Sequence, residues 1–555
     1  MIPRTAGFVN RFSRTNPGER AAPGRRAGGV SGLAPAAADV PGAGGPASRG
    51  PGARRTIRAV RVIFVAAECE PWAKTGGLGD VVDALARSLA RVPGALDEPV
   101  EVFLPRYRSV PVPRDRPVET LAVRVPDPRA AGGSGEIVIR SFEAAGYRLR
   151  LVDHPPAFDR DGLYGNARGE FADNAWRFGL LTRAALETRR AEGRPLDVVA
   201  LHDWHACPGV LQRDLAYGPD PIIGPAAMTL TIHNLAYHGW TPRDRVAQIG
   251  LGADPPAGDG WGIDLLREGI LRAEMVNTVS PTYAREVLGP EMGMGLESQL
   301  RSRGARFLGI LNGLDQELWD PATDALIAAP FDAADRSGKA ACRADLCARV
   351  GFDAADPAPI LGVIGRLDPQ KGFDLVAGAA PALAAGGARI IALGSGDAGL
   401  VAGMRAAAAA FPGRIAMVER FDRDLARRIY AGADIFLMPS RFEPCGQGQM
   451  IAMRYGTPPI GRRTGGLADT IVDLHEDPAG GTGFLFDEAT PDALRFACER
   501  AIGVLGDRDR RRWDGLVRRA MAVDWAWERA SAPAYAAMFR RAMAARRGDL
   551  GAPAR

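Results

Sequence analysis

From Arg58 onward the chain alternates short apolar runs with longer stretches of helical spacing. Residues 59–66 form a run closed by a glycine-rich turn, after which Val81, Leu85, Leu89 and Val92 recur at the interval of one helical face. A strand, a loop and a helix are predicted there. Similar runs lie at 100–104, 197–201, 228–232 and 275–279, each with a polar cluster at its C-terminal end. Residues 320–358 are rich in Ala, Asp and Pro, with a helix expected near 339–350. The rhythm then restarts at 359–364 and continues with strands at 388–393, 415–418, 435–438 and 458–460. Strands alternating with helices build parallel, doubly wound sheets whose ligands gather outside the strands' carboxyl ends. The expected architecture is therefore α/β, with two Rossmann-like domains facing one interdomain cleft. The first covers residues 57–325 and the second 326–510. Residues 511–555 are expected to be helices that pack back on the body through Trp513, Trp525, Trp527, Tyr535 and Phe539.

A chain of 555 residues exceeds one ordinary core, in keeping with two domains plus extensions. Its net charge of +5 is unevenly placed. Residues 1–56 hold nine Arg against Glu19 and Asp39, a net of +7, which leaves −2 for residues 57–555. A nucleic-acid footprint needs positive charge clustered on a folded face, whereas this excess sits in a Gly/Pro/Ala/Arg-rich segment with little to bury. Nucleic acid is excluded on that ground, and residues 1–56 read as a disordered or targeting-like extension. The six cysteines contain no Cys-x-x-Cys pair, so neither a disulfide framework nor a zinc site is suggested and a reduced, cytoplasmic setting follows. No run of about eighteen apolar residues is present to span a membrane.

Candidate chemistry enters through an imbalance: only three of the 70 basic residues are lysines, Lys74, Lys339 and Lys371. Arginine is a planar fork and lysine a compact point charge, so a chain that defaults to arginine keeps lysine where a fork will not fit, as against a phosphate. Lys74 and Lys371 both sit in glycine-punctuated loops, Lys74-Thr75-Gly76-Gly77-Leu78-Gly79-Asp80 and Gly365-Arg366-Leu367-Asp368-Pro369-Gln370-Lys371-Gly372. Four of the six histidines fall in His202-Asp203-Trp204-His205 and His233-Asn234-Leu235-Ala236-Tyr237-His238, each directly after a predicted strand. No cysteine or third well-spaced ligand joins them, so a metal is not expected. Ser440-Arg441-Phe442-Glu443-Pro444-Cys445-Gly446 follows the strand at 435–438. Pro444 blocks immediate helix propagation, so the Glu443 carboxylate is expected to point into the cleft; taken alone, the motif equally fits a helix N-terminal carboxylate stabilised by the macrodipole. Arg463-Thr464-Gly465-Gly466 is another Gly-Gly turn before a helix, where free backbone amides can hold an anion. Residues 394–399 spell the dinucleotide pattern after a good strand, with Glu419 near where a ribose-binding acid would stand. Their neighbours Arg366, Lys371 and Glu443 are nothing a hydride transfer asks for.

Taken together these segments resemble bacterial glycogen synthase and the related starch synthases, retaining glycosyltransferases of family 5 with the GT-B fold. The resemblance spans about residues 58–545. It is carried by the Lys74 loop, Pro105-Arg106-Tyr107, residues 202–205 and 233–237, the run from Asn277 to Ala284, Gly295-Leu296-Glu297, Ile310-Leu311-Asn312-Gly313, the Arg366/Lys371 loop, residues 443–446 and Arg454-Tyr455-Gly456-Thr457-Pro458-Pro459, all in the family's order. Two departures are Gln447-Gly448, where the family commonly has Leu and a small polar residue, and His238 in place of a usual Gln.

The resemblance implies transfer of glucose from ADP-glucose to the non-reducing 4-hydroxyl of an α-1,4-glucan (glycogen), with retention and with neither metal nor cofactor. It implies that Arg366 and Lys371 neutralise the departing diphosphate, that Glu443 lies beside the donor sugar, and that Asp203 and His233 bind or polarise that sugar. Lys74 with the backbone of Gly76 and Gly77 approaches the nucleotide from the first domain. Asn277, Cys445, Gly446, Thr464, Gly465 and Gly466 complete the expected binding set. Two other readings stay open at this point: a phosphorylase on the same fold, which needs pyridoxal phosphate on a lysine, and a non-catalytic binder of glucan or nucleotide sugar.

Overall fold

The computed structural model describes residues 60–166, 168–251 and 260–549; the extension read at 1–56 lies outside them. In the first lobe a nine-stranded sheet runs, edge to edge, through Phe307–Gly309, Met275–Thr278, Ala227–Ile232, Val198–His202, Val62–Val65, Glu101–Pro105, Arg148–Asp153, Ser134–Glu143 and Glu119–Pro126. Val62–Val65 pairs in parallel with Val198–His202 on one side and Glu101–Pro105 on the other. Its four residues are all buried, as a central parallel strand covered by helices on both faces requires. The far edge is different. Ser134–Glu143 pairs antiparallel with both neighbours, forming a meander that the sequence reading did not include. Here Val123, Val125, Ile137 and Ile139 turn inward while Glu119, Arg124 and Glu136 stay outside, the alternation of a half-covered sheet.

The second lobe holds six parallel strands in the order Ile415–Val418, Arg389–Leu393, Ile360–Ile364, Ile435–Met438, Pro459–Arg462 and Phe484–Phe486. Every predicted strand of this half is present. The helix expected near 339–350 spans Gly338–Val350.

Two stretches of chain join the lobes and lie against each other. Leu314 N donates to Trp525 O at 2.7 Å, Leu314 and Ala526 form a parallel bridge, and Ser531 Oγ donates to Leu311 O at 2.6 Å. A Cβ on Gly313 would stand 2.7 Å from the Trp527 ring, so only glycine lets the two segments close. The terminal aromatics divide at this crossing. Trp513 joins the second lobe's core through the helix Arg511–Ala522. Trp527, Tyr535 and Phe539 join the first lobe's core, where Phe539 meets Phe64 edge-on at 6.4 Å. The C-terminal helix Ser531–Arg546 thus returns to the domain in which the fold began.

Trp527 is 2% exposed at this crossing. Truncating a buried Trp to Ala costs about 3–5 kcal/mol, so Trp527→Ala is expected to lower the thermal unfolding midpoint by several degrees. An unchanged midpoint in calorimetry would show that the crossing does not stabilise the fold.

Candidate active site

Asp203, His233, Arg366, Lys371 and Glu443 all stand in loops that follow the carboxyl ends of parallel strands. In the second lobe the strands Ile360–Ile364 and Ile435–Met438 are neighbours, so the loops that follow them meet. Lys371 Nζ lies 2.6 Å from Glu443 Oε2, and Ser440 Oγ donates to the same oxygen at 2.9 Å. Asp368 fixes the lysine's backbone by accepting from Lys371 N at 3.0 Å. Gln370 Nε2 donates to Phe442 O at 3.1 Å, tying the two loops together. Arg366 is held by Asp368 at 3.3 Å and, against the opposing effect of burial, the fields of the Tyr237 phenol from the first lobe, of Asp368 and of Glu443 together raise its pKa.

Across the gap, Asp203 follows Val198–His202 in a left-handed conformation, φ 57°, rare for a residue with a side chain. That turn brings its Oδ1 to 2.7 Å from His233 N. The His233 ring stacks on His202, with Nε2 3.0 Å from His202 Nδ1. Burial drives the pKa of His202 down to about 3 and that of His233 well below the usual imidazole range, so this is a neutral pair. It acts by hydrogen bonding and not by charge. Lys74 stands at the gap with its ammonium 2.5 Å from Asp80 and 3.8 Å from Glu70. Among the described residues no group of three or more His, Cys, Asp and Glu is arranged to hold a metal ion.

The glycine turns differ from expectation. The amide of Gly76 donates to Glu68 Oε2 at 3.0 Å, and Thr75 gives the same carboxylate its amide and hydroxyl, both at 2.7 Å. The amide of Gly465 donates to Glu286 at 3.0 Å, Thr464 Oγ1 reaches Glu286 at 3.2 Å, and Gly466 N donates to Glu443 O at 3.0 Å. Protein acceptors therefore occupy the amides of Gly76, Gly465 and Gly466. The second pair of glycines answers a steric need: a Cβ on Gly465 would lie 2.0 Å from Glu443 O, and one on Gly466 2.1 Å from Cys445 O. The amides of Gly77, Gly446, Gln447 and Gly448 engage no acceptor among the described residues.

Two more expected contacts are replaced by packing. Asn277 is fully buried within its strand, accepting from Thr231 Oγ1 at 2.8 Å and donating to Tyr535 OH at 3.1 Å, so its side chain braces the sheet. Cys445 is 4% exposed, and burial pushes its thiol up to about 12, the state of a packed neutral thiol and not of a nucleophile. Gly446 adopts φ 75° where a Cβ would meet Gln449 Oε1 at 2.6 Å, so glycine is required there. Lys339 lies away from the gap, donating to Ala431 O, Tyr455 O and Thr457 Oγ1 at 2.8–2.9 Å. The glycines at 394–399 serve close packing: a Cβ on Gly396 would stand 2.2 Å from Leu367 O.

Four residues outside the expected set belong to the cleft. Glu68, 3% exposed, accepts from Tyr164 OH at 2.6 Å and carries its charge toward Asp203. Tyr237, half exposed, contributes to the electrostatic environment of Arg366 from the opposite lobe. Tyr283, 1% exposed, faces the charges of Glu286, Asp203 and Glu443. Phe421 is an 80% exposed ring two residues before Arg423, which reaches Glu70 of the first lobe at 2.9 Å. The rule that found Asp203, an acid at the end of an apolar strand run, also points to Glu68.

Two doubly wound lobes that present cations and a carboxylate on one side of a gap, and an Asp/His pair on the other, define a two-lobed glycosyltransferase. Residues 61–302 match the family model of the starch synthase catalytic domain, and residues 358–503 that of glycosyl transferases group 1. A glycogen synthase of Anaeromyxobacter dehalogenans is 43% identical over 495 residues, covering 87% of this chain and 99% of that one. Glycogen synthase 2 of Geobacter metallireducens is 39% identical, covering 88% and 100%. The catalytic domain of starch synthase IV from Arabidopsis thaliana, solved bound to ADP and acarbose, aligns with TM-score 0.79 at 32% identity over 88% of this chain and all of that one. A sucrose-phosphate synthase from Thermosynechococcus elongatus, 18% identical with TM-score 0.54 over 88% of this chain and all of that one, shares the fold. The chain belongs to the glycogen synthase and starch synthase family of GT-B glycosyltransferases.

Burial raises the Asp203 carboxyl from 3.8 to about 7, with Glu68 adding to the rise and the amides of His233 and Asn234 opposing it. The folded protein therefore holds this proton more tightly than the unfolded chain, and the group makes the fold less stable as pH climbs from about 4 to about 7. Its ionised form is the one that stabilises positive charge nearby. We expect kcat/KM to rise with pH through about 7, and Asp203→Asn to flatten that limb. An identical profile in the variant would assign the titration to another group.

Proposed function

We propose that this enzyme transfers glucose from ADP-glucose to the 4-hydroxyl at the non-reducing end of an α-1,4-glucan, with retention of configuration. The observation that carries the reading is the meeting of Lys371 and Arg366 with Glu443 at a cleft whose far wall holds Asp203 and His233. Breaking the bond between the sugar's anomeric carbon and the phosphate oxygen leaves the electron pair on the diphosphate and positive character on the ring. Lys371 and Arg366, with Lys74 from the other lobe, bring positive charge to the first; Asp203 and Glu443 bring negative charge to the second. Two unit charges about 4 Å apart attract by roughly 4 kcal/mol at an effective dielectric near 20, so two cations supply several kcal/mol to the transition state. The open amides of Gly446, Gln447 and Gly448 lie beside them, and their backbone character makes the side-chain departure at Gln447 of little consequence for the donor.

The acceptor hydroxyl attacks from the face the leaving group vacates, and its proton passes to the departing phosphate oxygen. Phe421 offers an exposed ring for a nucleotide base to stack on. Because the two lobes contribute separate charges, closure of the cleft completes the site and keeps out water that would hydrolyse the donor. We place the enzyme in the cytoplasm. Six buried cysteines in thiol form support that setting, and among the described residues no helix is long and apolar enough to cross a membrane.

The test is incubation of the full chain with ADP-glucose and glycogen, following ADP release and incorporated glucose with and without excess chelator, and with UDP-glucose in parallel. Glucose incorporation from ADP-glucose that survives chelation is the expected outcome. Incorporation only from UDP-glucose, or none, would overturn the reading. Lys371→Ala and Glu443→Ala are each expected to lower kcat at least about a hundredfold, as loss of one electrostatic stabiliser does.

A further inference from the structure

We propose that Glu286 and Asp469 are positioning residues through which the first lobe fixes Glu443 in the cleft; this builds on the role given to Glu443 above. The helix Pro281–Glu286 follows the first-lobe strand Met275–Thr278, and the helix Gly465–Thr470 follows the second-lobe strand Pro459–Arg462. The two meet so that each presents a carboxylate to the amino end of the other. Asp469 accepts from Thr282 N at 2.8 Å and Thr282 Oγ1 at 2.6 Å. Glu286 accepts from Gly465 N at 3.0 Å and from Thr464 Oγ1 at 3.2 Å.

Three features set this contact apart from an ordinary ion pair between lobes. The helix Gly465–Thr470 makes no side-chain cap of its own: Thr464 turns its hydroxyl to Glu286, so the first lobe supplies the cap. One residue further, Gly466 N donates to Glu443 O, and the glycines press directly on the carbonyls of Glu443 and Cys445. Glu286 is therefore two hydrogen bonds and one peptide from the backbone of Glu443. Finally, the contact is half-buried, with Thr464 at 1% exposure beneath the partly exposed Glu286, Asp469 and Thr282, whereas Arg423, which bridges the lobes through Glu70, has a side chain 60% exposed. The charged neighbours of Glu286 are Arg462 and Asp469, with Tyr283 on its own helix.

The consequence is geometric. Glu443 must face the same sugar as Asp203 and His233, yet it belongs to a different sheet. A cap that crosses between lobes and ends on its carbonyl sets that distance without touching the donor. Lys371 and Arg366 travel with the second lobe, so donor binding depends little on the cap while turnover depends on it strongly.

The test compares Glu286→Ala, Glu286→Gln, Asp469→Ala and the Glu286→Ala/Asp469→Ala double variant in the full chain. Misplacement of a reacting group by about 1 Å costs on the order of a hundredfold, so Glu286→Ala is expected to lower kcat about ten- to a hundredfold with donor KM within about threefold. Glu286→Gln keeps an oxygen for Gly465 N and Thr464 Oγ1 and should recover most of that loss. The double variant should lose less than the product of the single losses, because both residues hold one contact. Hydrogen exchange at residues 464–467, measured without substrate, should accelerate in Glu286→Ala and not in Glu286→Gln. A kcat in Glu286→Ala within about twofold of the parent, a Gln variant no better than Ala, or unchanged exchange at 464–467 would each overturn the proposal. A parent enzyme inactive with ADP-glucose would instead overturn the functional reading, and the exchange measurement would still decide whether the cap operates.

Discussion

A carboxylate taken almost wholly out of water is costly unless a counter-charge and hydrogen bonds go with it, and Glu443 has both in Lys371 and Ser440. With 4% of its surface exposed, this carboxylate depends on those two partners in place of water. The pairing demands that two loops, separated by more than seventy residues, end side by side. The adjacency of the strands Ile360–Ile364 and Ile435–Met438 at the middle of a parallel sheet supplies that neighbourhood. Asp368, Gln370 and Pro369 then secure the loops by their own bonds, the last accepting from Arg441 Nη1 at 2.9 Å. The glycine turn at 465–466 closes beneath them because nothing larger fits under Glu443 and Cys445.

The same logic governs the carboxylates on the two Gly-Gly turns. A buried helix terminus has amides without partners, and in both lobes a protein acid from elsewhere in the chain satisfies them: Glu68 at the first turn, Glu286 at the second. At the second turn the glycines, Gly465 and Gly466, are also required for a different reason from the one their pattern suggests. They permit close backbone approach, as Gly396 does against Leu367 in a motif that elsewhere cradles a dinucleotide.

What was legible in the sequence follows from which interactions are local. Apolar runs and strand-end polar clusters are local, so most of the parallel strands and the strand-end placement of Asp203, His233, Arg366, Lys371 and Glu443 could be read directly, while the parallel strands Arg148–Asp153, Phe307–Gly309 and Phe484–Phe486 were missed. The meander at 119–143 carried a weaker signal, alternation instead of a run, and was passed over. Asn277 was read by its motif alone. Its strand register, opposite Thr231, faces it into the core toward Tyr535, and no one-dimensional pattern discloses that distant partner. Likewise, which acceptor occupies the amide of Gly465 is decided by residue 286, nearly 180 positions away. Trp513 and Trp527 look alike in sequence yet serve different cores, because the chain crosses between lobes in the interval.

The scarcity of lysine acquires a physical meaning once the partners are known. Arginine takes the positions where several carbonyls lie in a plane: Arg389, fully buried, donates to Asp353 O, Asp356 O and Ala358 O at 2.7–2.9 Å. Lys339 occupies a pocket whose three acceptors converge on a point, which suits an ammonium and not a fork. Lys371 and Lys74 differ from both. Each is held by carboxylates through a single rotatable ammonium, Lys371 by Glu443 and Lys74 by Asp80 and Glu70. Such a group can turn about its own stem without leaving its loop, whereas a fork seated bidentate on the same carboxylate would have to break two bonds together. At these two positions the loop geometry selects lysine for its single point of contact.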